Sequence, residues 1–244
     1  MYRSYNQMPS AGTASVGREQ ALVNVFMRRV YNWMALGLGL SALLAWVTIS
    51  TPAVLFSLVN PMTGTPTMLF WGALIGELVL VFALSAGISK IQVGTAMALF
   101  VAYSSLNGLT LGLVLLAYTG ASVMKAFLVT AGTFAVTSIW ASTTKKDLSG
   151  MGSFLMMGLI GIVIASLVNF FFRSPMVDWV VSVVGVGLFV GLTAYDTQKF
   201  RAMVYEAANE VTISKMAVLG ALSLYLDFIN LFLMLLRLFG DRRD

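Results

Sequence analysis

The chain has 244 residues, of which 59% are hydrophobic and only 10% charged, with a net charge of +5. Soluble domains carry about 25% charged residues, and a mean hydropathy of +0.88 leaves more apolar surface than a water-soluble fold of this length can hide, so the solvent is lipid. Cysteine and histidine are both missing, which excludes disulfides, thiol nucleophiles, imidazole acid–base chemistry, c-type haem attachment and the usual zinc sites. Proton chemistry then falls to carboxylates, tyrosines and lysines, and neither an enzyme nor a resident cofactor is expected. The basic residues are dispersed among loops, which reads as membrane topology rather than a nucleic-acid surface.

Residues 1–29 are polar and lack a short apolar core followed by a small-residue cleavage site, so they read as a flexible cytoplasmic tail and not a cleavable signal. A spanning helix needs about 20 apolar residues. Seven stretches qualify, approximately Val30–Ile49, Thr67–Ser89, Val93–Ala117, Ala121–Ala141, Gly152–Phe172, Val177–Thr197 and Met216–Phe239. The expected organisation is one all-α membrane domain over 30–240 with a short polar end at 241–244. The longest connection is expected at Gln198–Lys215. Gly72/Gly76, Gly108/Gly112 and Gly187/Gly191 each form a Gly-x-x-x-Gly pair; close helix packing inside one bundle and a dimer face both fit such pairs, and the first is the simpler.

Orientation follows from Lys and Arg. Arg3, Arg18, Arg28, Arg29, Lys90, Lys145, Lys146, Lys199, Arg201 and Lys215 fall on one side; Lys125, Arg173, Arg237, Arg242 and Arg243 fall on the other. The N-terminus is therefore expected in the cytoplasm and, after seven crossings, the C-terminus in the periplasm. Arg242 and Arg243 run against that assignment, and a last helix that fails to cross completely would account for them.

The last stretch, GALSLYLDFINLFLMLLRLFG, is apolar enough to span yet carries Asp227 near its middle and Arg237 near its end. A charge at bilayer depth costs about 3 kcal/mol on insertion scales, and such groups face a bundle interior or a wet cavity. On a helical projection Ser223, Asp227, Asn230 and Arg237 lie within about 80° of arc, so this polar stripe is expected to face other helices. Asp196, in GLTAYDTQKF, is the second intramembrane carboxylate. It reads either as an interfacial group paired with Lys199 and Arg201 or as a partner of Asp227 across antiparallel neighbouring spans. Depth counting sets Asp227 about 16 Å above the inner face and Asp196 only a few ångströms above it, so meeting requires a tilted or broken helix. If the two meet, they share a proton and titrate as a unit, and loss of that proton creates repulsion and a weak, transient Ca²⁺ site built on Asp196 and Asp227. Glu77 in the second span is the third carboxylate, and a Glu77–Arg237 clasp would relieve two charges otherwise unpaired in lipid. Tyr103, Asn107 and Thr110 share one face of the third span, as interhelical hydrogen bonding often requires.

Residues 221–240 (ALSLYLDFINLFLMLLRLFG), with GLTAYDTQ at 191–198 and TTKKDLSG at 143–150, resemble the Bax inhibitor-1 (transmembrane Bax-inhibitor-motif) family, and the likeness extends over about 24–240. The short loops resemble its bacterial branch, which implies a multi-pass protein of the bacterial inner membrane. The resemblance implies a central seventh helix wrapped by six others and a pH-sensitive calcium leak. It also implies Asp196 and Asp227 as the proton sensor and ion pathway, with Glu77 and Arg237 as an outer latch. In a leak-type bacterial member an Arg at the inner end of span two holds the aspartate pair; here that stretch reads SAGISK, so the lock is either weaker or supplied by Lys90.

The partners expected are the lipid bilayer and calcium ions or protons. A different class of function is a regulator of a membrane protease or another membrane complex, with residues 1–29 as its contact. An intramembrane aspartyl protease is disfavoured because Ser-Leu-Tyr-Leu, not Gly-x-Gly, precedes Asp227. A retinal-type receptor is disfavoured because the last span lacks a central Lys for a Schiff base.

Overall fold

The computed structural model describes residues 11–204 and 209–243, with side chains from residue 20 onward. Residues 1–10, Glu206 and Asp244 lie outside the described set, as does the Arg18 side chain. The described chain is helical: α1 (Ala11–Ser50), α2 (Pro52–Leu58), α3 (Met68–Gly87), α4 (Val93–Leu116), α5 (Gly120–Thr143), a 3₁₀ turn (Ser149–Met151), α6 (Gly152–Phe172), α7 (Pro175–Met203) and α8 (Glu210–Phe239). Seven of these, all but α2 and the 3₁₀ turn, are long and apolar enough to cross a membrane, in agreement with the seven expected spans.

Helix ends follow local chemistry. Thr51 precedes Pro52, and a pre-proline residue is driven out of the helical region; α1 therefore stops at Ser50 and α2 starts with proline in its first turn, where the missing N–H costs nothing. Thr67 caps α3 by accepting from Phe70 N, Ser174 caps α7 by accepting from Val177 N, and Asn209 caps α8 by accepting from Thr212 N at 2.8 Å.

Two boundaries differ from expectation. The supposed tail is largely helix. Val23, Phe26, Met27, Val30 and Met34 are all buried, and their spacing places them on one face of α1, so 20–29 form a packed extension of the first span rather than a free segment. The expected long connection Gln198–Lys215 is likewise mostly helical, because α7 continues to Met203 and α8 begins at Glu210.

In α8, 72% of the residues in the apolar stretch are buried, against 39% or fewer in any other span. It packs against α1, α4, α5 and α7 and touches α3, whereas α6 packs mainly on α7. Tyr225, Leu224, Leu231 and Leu236 are fully enclosed. Outward-facing positions on the surrounding helices are apolar, including Phe82, Val136, Phe154 and Leu167, the inverse of a soluble surface and the pattern lipid requires. Of the glycine pairs, Gly108/Gly112 makes the close approach: a Cβ on Gly108 would lie 2.7 Å from Ser41 O and one on Gly112 would lie 2.7 Å from Thr48 Cβ, so α4 and α1 meet backbone to backbone. That pair therefore serves packing within the bundle, while Gly72 and Gly187 face open space.

α8 is long and apolar enough to complete a crossing. Thirty residues rise about 45 Å, more than the hydrocarbon core of about 30 Å. Beyond it Tyr118 and Arg242 form an isolated antiparallel bridge, with Thr119 N donating to Asp241 O and Arg243 N to Ala117 O, both at 3.0 Å. The chain thus ends its described course against the α4–α5 turn. The start of α8 lies at the opposite end of the bundle, where Glu210 pairs with Arg29 of α1.

Candidate functional site

Asp227 sits in the middle of α8, only 5% exposed, and its Oδ2 has no hydrogen-bond partner among the described residues. A carboxylate oxygen enclosed without a donor is costly, so the position is one that packing alone would not select. Its electrostatic neighbours are Asp196 and Lys199 of α7. Asp196 is half-buried, and the Ser223 side chain stands beside its carboxylate. The two expected aspartates thus lie on adjoining helices, within electrostatic reach of each other.

The depth conflict resolves without a broken helix. Ser223 is level with Asp196, and Asp227 is one turn further along the same face of α8, about 6 Å away. Depth counting failed because it assumed that α7 and α8 are flush at their inner ends. Asp196 lies seven residues before the end of α7 and Ser223 thirteen residues after the start of α8, so α8 projects past α7 by about 9 Å.

Lys199, rather than Lys90, is the base within electrostatic reach of the aspartates, without an ion pair to either among the described residues. It lies 5.7 Å from the Tyr195 ring centre and 5.5 Å from that of Phe200, one helical turn from Asp196. Lys90 is exposed, and the inner end of α3 is instead held by Lys215 Nζ, which donates to Ser89 O at 3.2 Å. Asn230 turns its amide onto its own helix, donating to Leu226 O at 2.8 Å, and so takes no part in the pair. Two further buried hydroxyls without partners among the described residues, Ser138 Oγ and Thr197 Oγ1, lie on α5 and α7, both of which pack against α8.

The expected Glu77–Arg237 clasp does not form. Glu77 accepts from Thr110 Oγ1 at 2.6 Å and from Asn107 Nδ2 at 3.1 Å, while Arg237 pairs with Asp178 of α7 at 3.6 Å. The reason is adjacency. α3 packs on α4 and barely reaches α8, whereas α7 runs along α8 for much of its length. Asn107 and Thr110 thus perform the interhelical bonding expected of their shared face. The network continues inward: the Tyr225 hydroxyl donates to Asn107 Oδ1 at 2.7 Å and lies 2.6 Å from Ser41 Oγ, which is also 2.7 Å from Ser104 O. Four helices, α3, α4, α8 and α1, are joined through it. Asp178 and Ser41 escaped sequence reasoning. Asp178 was legible as an acid placed by topology at the same end as Arg237; Ser41 carried no signal beyond being polar in an apolar run.

No group of three or more acidic, His or Cys side chains able to hold a metal occurs among the described residues. Two carboxylates fall well short of the six to eight oxygens calcium usually takes.

A bundle of seven apolar helices, with lipid-compatible side chains outside and a few polar groups enclosed in an apolar core, defines a multi-pass integral membrane protein. The family model described as "Inhibitor of apoptosis-promoting Bax1" matches residues 23–244, and the chain belongs to the Bax inhibitor-1 family. It is 48% identical to the inner membrane protein YbhL of Escherichia coli strain K12 over 231 residues, 94% of this chain and 97% of that protein. A protein of Borreliella burgdorferi is 43% identical over 93% of this chain and 96% of its own length. One from Caulobacter vibrioides is 42% identical over 99% and 98%.

Proposed function

We propose that this protein is a pH-sensitive calcium leak of the bacterial inner membrane, gated by the Asp196–Asp227 pair. The observation that carries the reading is Asp227 itself: a buried carboxylate with an unpartnered oxygen, facing a second carboxylate on the neighbouring helix. Two such groups in a low-dielectric interior share a proton more readily than they both ionise. With the proton shared, α7 and α8 stay together; once it leaves, repulsion loosens their contact and leaves two oxygens facing a cation. Lys199 is the third charge in this balance and moderates the repulsion. The family resemblance supplies calcium as the ion, and the likeness to the E. coli inner membrane protein supplies the membrane. By the Lys and Arg balance, the Arg29–Glu210 end is cytoplasmic and the Arg242 end periplasmic.

The test is calcium flux through proteoliposomes from mildly acidic to mildly alkaline pH, with Asp227→Asn and Asp196→Asn beside the wild type. The wild type is expected to change its flux with pH and both variants to lose that dependence. Flux unchanged in both variants would sink the gate. No flux in the wild type would remove the leak and leave the other reading, a regulator of a membrane protease or other complex without transport of its own.

A further inference from the structure

At the end of the bundle opposite the α8 start, a cavity of about 660 Å³ opens between α6, α7 and the close of α8. We propose that it binds the phosphate headgroup of an anionic phospholipid, in a site independent of the leak reading. Three guanidinium side chains line it, Arg173, Arg237 and Arg242, against one carboxylate, Asp178. Arginine presents a planar fork that matches phosphate oxygens in pairs, and basic pockets between membrane helices are suited to lipid headgroups.

The arginines are held in place by separate local structures. Arg173 ends α6 in the left-handed region at φ 52°, the sole non-glycine residue with positive φ among those described. Such a conformation is unfavourable for a long side chain and persists only where the surroundings hold it. Here Asn169 does so: its carbonyl accepts from Arg173 N at 2.7 Å and its Oδ1 from Ser174 N at 2.9 Å. Arg242 is fixed by its bridge to Tyr118. The neighbouring acid, Asp241, is turned away toward α5, where its Oδ2 accepts from Ser122 Oγ at 3.2 Å. Arg237 is engaged by Asp178, so the charge left for a ligand comes chiefly from Arg173 and Arg242.

The apolar side of the cavity distinguishes a lipid from a free phosphate. Phe170 and Trp179 line it and are 60% and 56% exposed, and Phe171 and Phe172 stand outside it on the same turn. Aromatic side chains at this level belong to the membrane–water interface. A soluble anion makes no use of them, whereas a glycerol backbone and the first acyl carbons would cover them.

The experiment uses purified full-length protein, delipidated in detergent. It is titrated with phosphatidylglycerol, with phosphatidylcholine and with inorganic phosphate, and bound ligand is counted by native mass spectrometry. Phosphatidylglycerol is expected to bind more tightly than phosphatidylcholine by about thirtyfold, the order expected from two added cationic contacts. The double variant Arg173→Asn with Arg242→Gln is expected to lose that preference while keeping its thermal midpoint; asparagine tolerates the left-handed backbone at 173. Lys125→Gln, a charge change at the same end of the bundle but outside the cavity, is expected to keep the preference. Equal affinity for the two lipids, an unchanged preference in the double variant, or a matching loss in Lys125→Gln would each overturn the site. Inorganic phosphate that binds as tightly as phosphatidylglycerol would overturn the lipid assignment.

Discussion

The Tyr225 hydroxyl donates to Asn107 Oδ1 at 2.7 Å, two positions before Asp227 on the same helix. The bond ties α8 to α4 and, through Asn107 Nδ2 and Glu77, to α3. Phe100 and Tyr103 enclose the Tyr225 ring edge-on, with centroids 5.9 and 5.6 Å away. Tyr225→Phe leaves this packing intact and removes only the hydroxyl. An abandoned buried acceptor costs about 1–3 kcal/mol, so the variant should melt at lower temperature in detergent, with its helix content unchanged. An unaltered midpoint would show that the bond contributes nothing.

Asp227→Asn should behave in the opposite sense. It retains the shape of the side chain and removes a buried carboxyl that must either ionise at a cost or share a proton with Asp196. The thermal midpoint at neutral pH should therefore hold or rise, although the residue lies at the heart of the most buried helix. A marked drop would mean that the carboxylate serves the fold rather than the gate.

Gly108→Ala places a methyl group 2.7 Å from the Ser41 carbonyl oxygen, which is backbone and cannot swing aside. Overpacking of this kind costs about 1–3 kcal/mol. Gly72→Ala on α3 meets nothing within 4 Å and should be neutral, or slightly stabilising through helix propensity. Parallel thermal denaturation of the two variants checks the contrast; equal effects would refute the backbone contact between α1 and α4.

Glu77 and Arg237 have different partners, so Glu77→Gln and Arg237→Gln should add to within about 0.5 kcal/mol. Asp178→Asn with Arg237→Gln should show a small coupling of about 0–1 kcal/mol, because both side chains are over a third exposed or close to it. A double-mutant cycle in detergent measures both. Strong coupling between Glu77 and Arg237 would restore the clasp that charge and depth alone suggest.

The seven spans were legible because apolar length is a direct physical requirement of the bilayer, and the aspartates stood out because a charge in such a run is expensive. The start of α1 was also legible: Val23, Phe26, Met27, Val30 and Met34 recur at helical spacing, but the polar residues between them disguised a packed face as a tail. Partner choice was not legible. Glu77 and Arg237 have opposite charge and compatible depth, yet only the arrangement of helices around α8 decides that each meets something else. The same holds for Asp196 and Asp227, whose proximity depends on how far α8 slides past α7, a quantity set by packing against α1, α4 and α5 rather than by any local pattern.

The most enclosed span comes last in the chain, after the helices it packs against. During synthesis the six earlier spans, α1 and α3 to α7, enter the bilayer before their common core exists, with Asn107 and Ser41 holding hydrogen-bonding groups toward the place Tyr225 will take. Assembly is therefore completed by a late insertion into a waiting cradle. Any chain cut short before α8 exposes polar side chains to lipid, a ready mark by which a membrane quality-control protease can tell unfinished copies from finished ones.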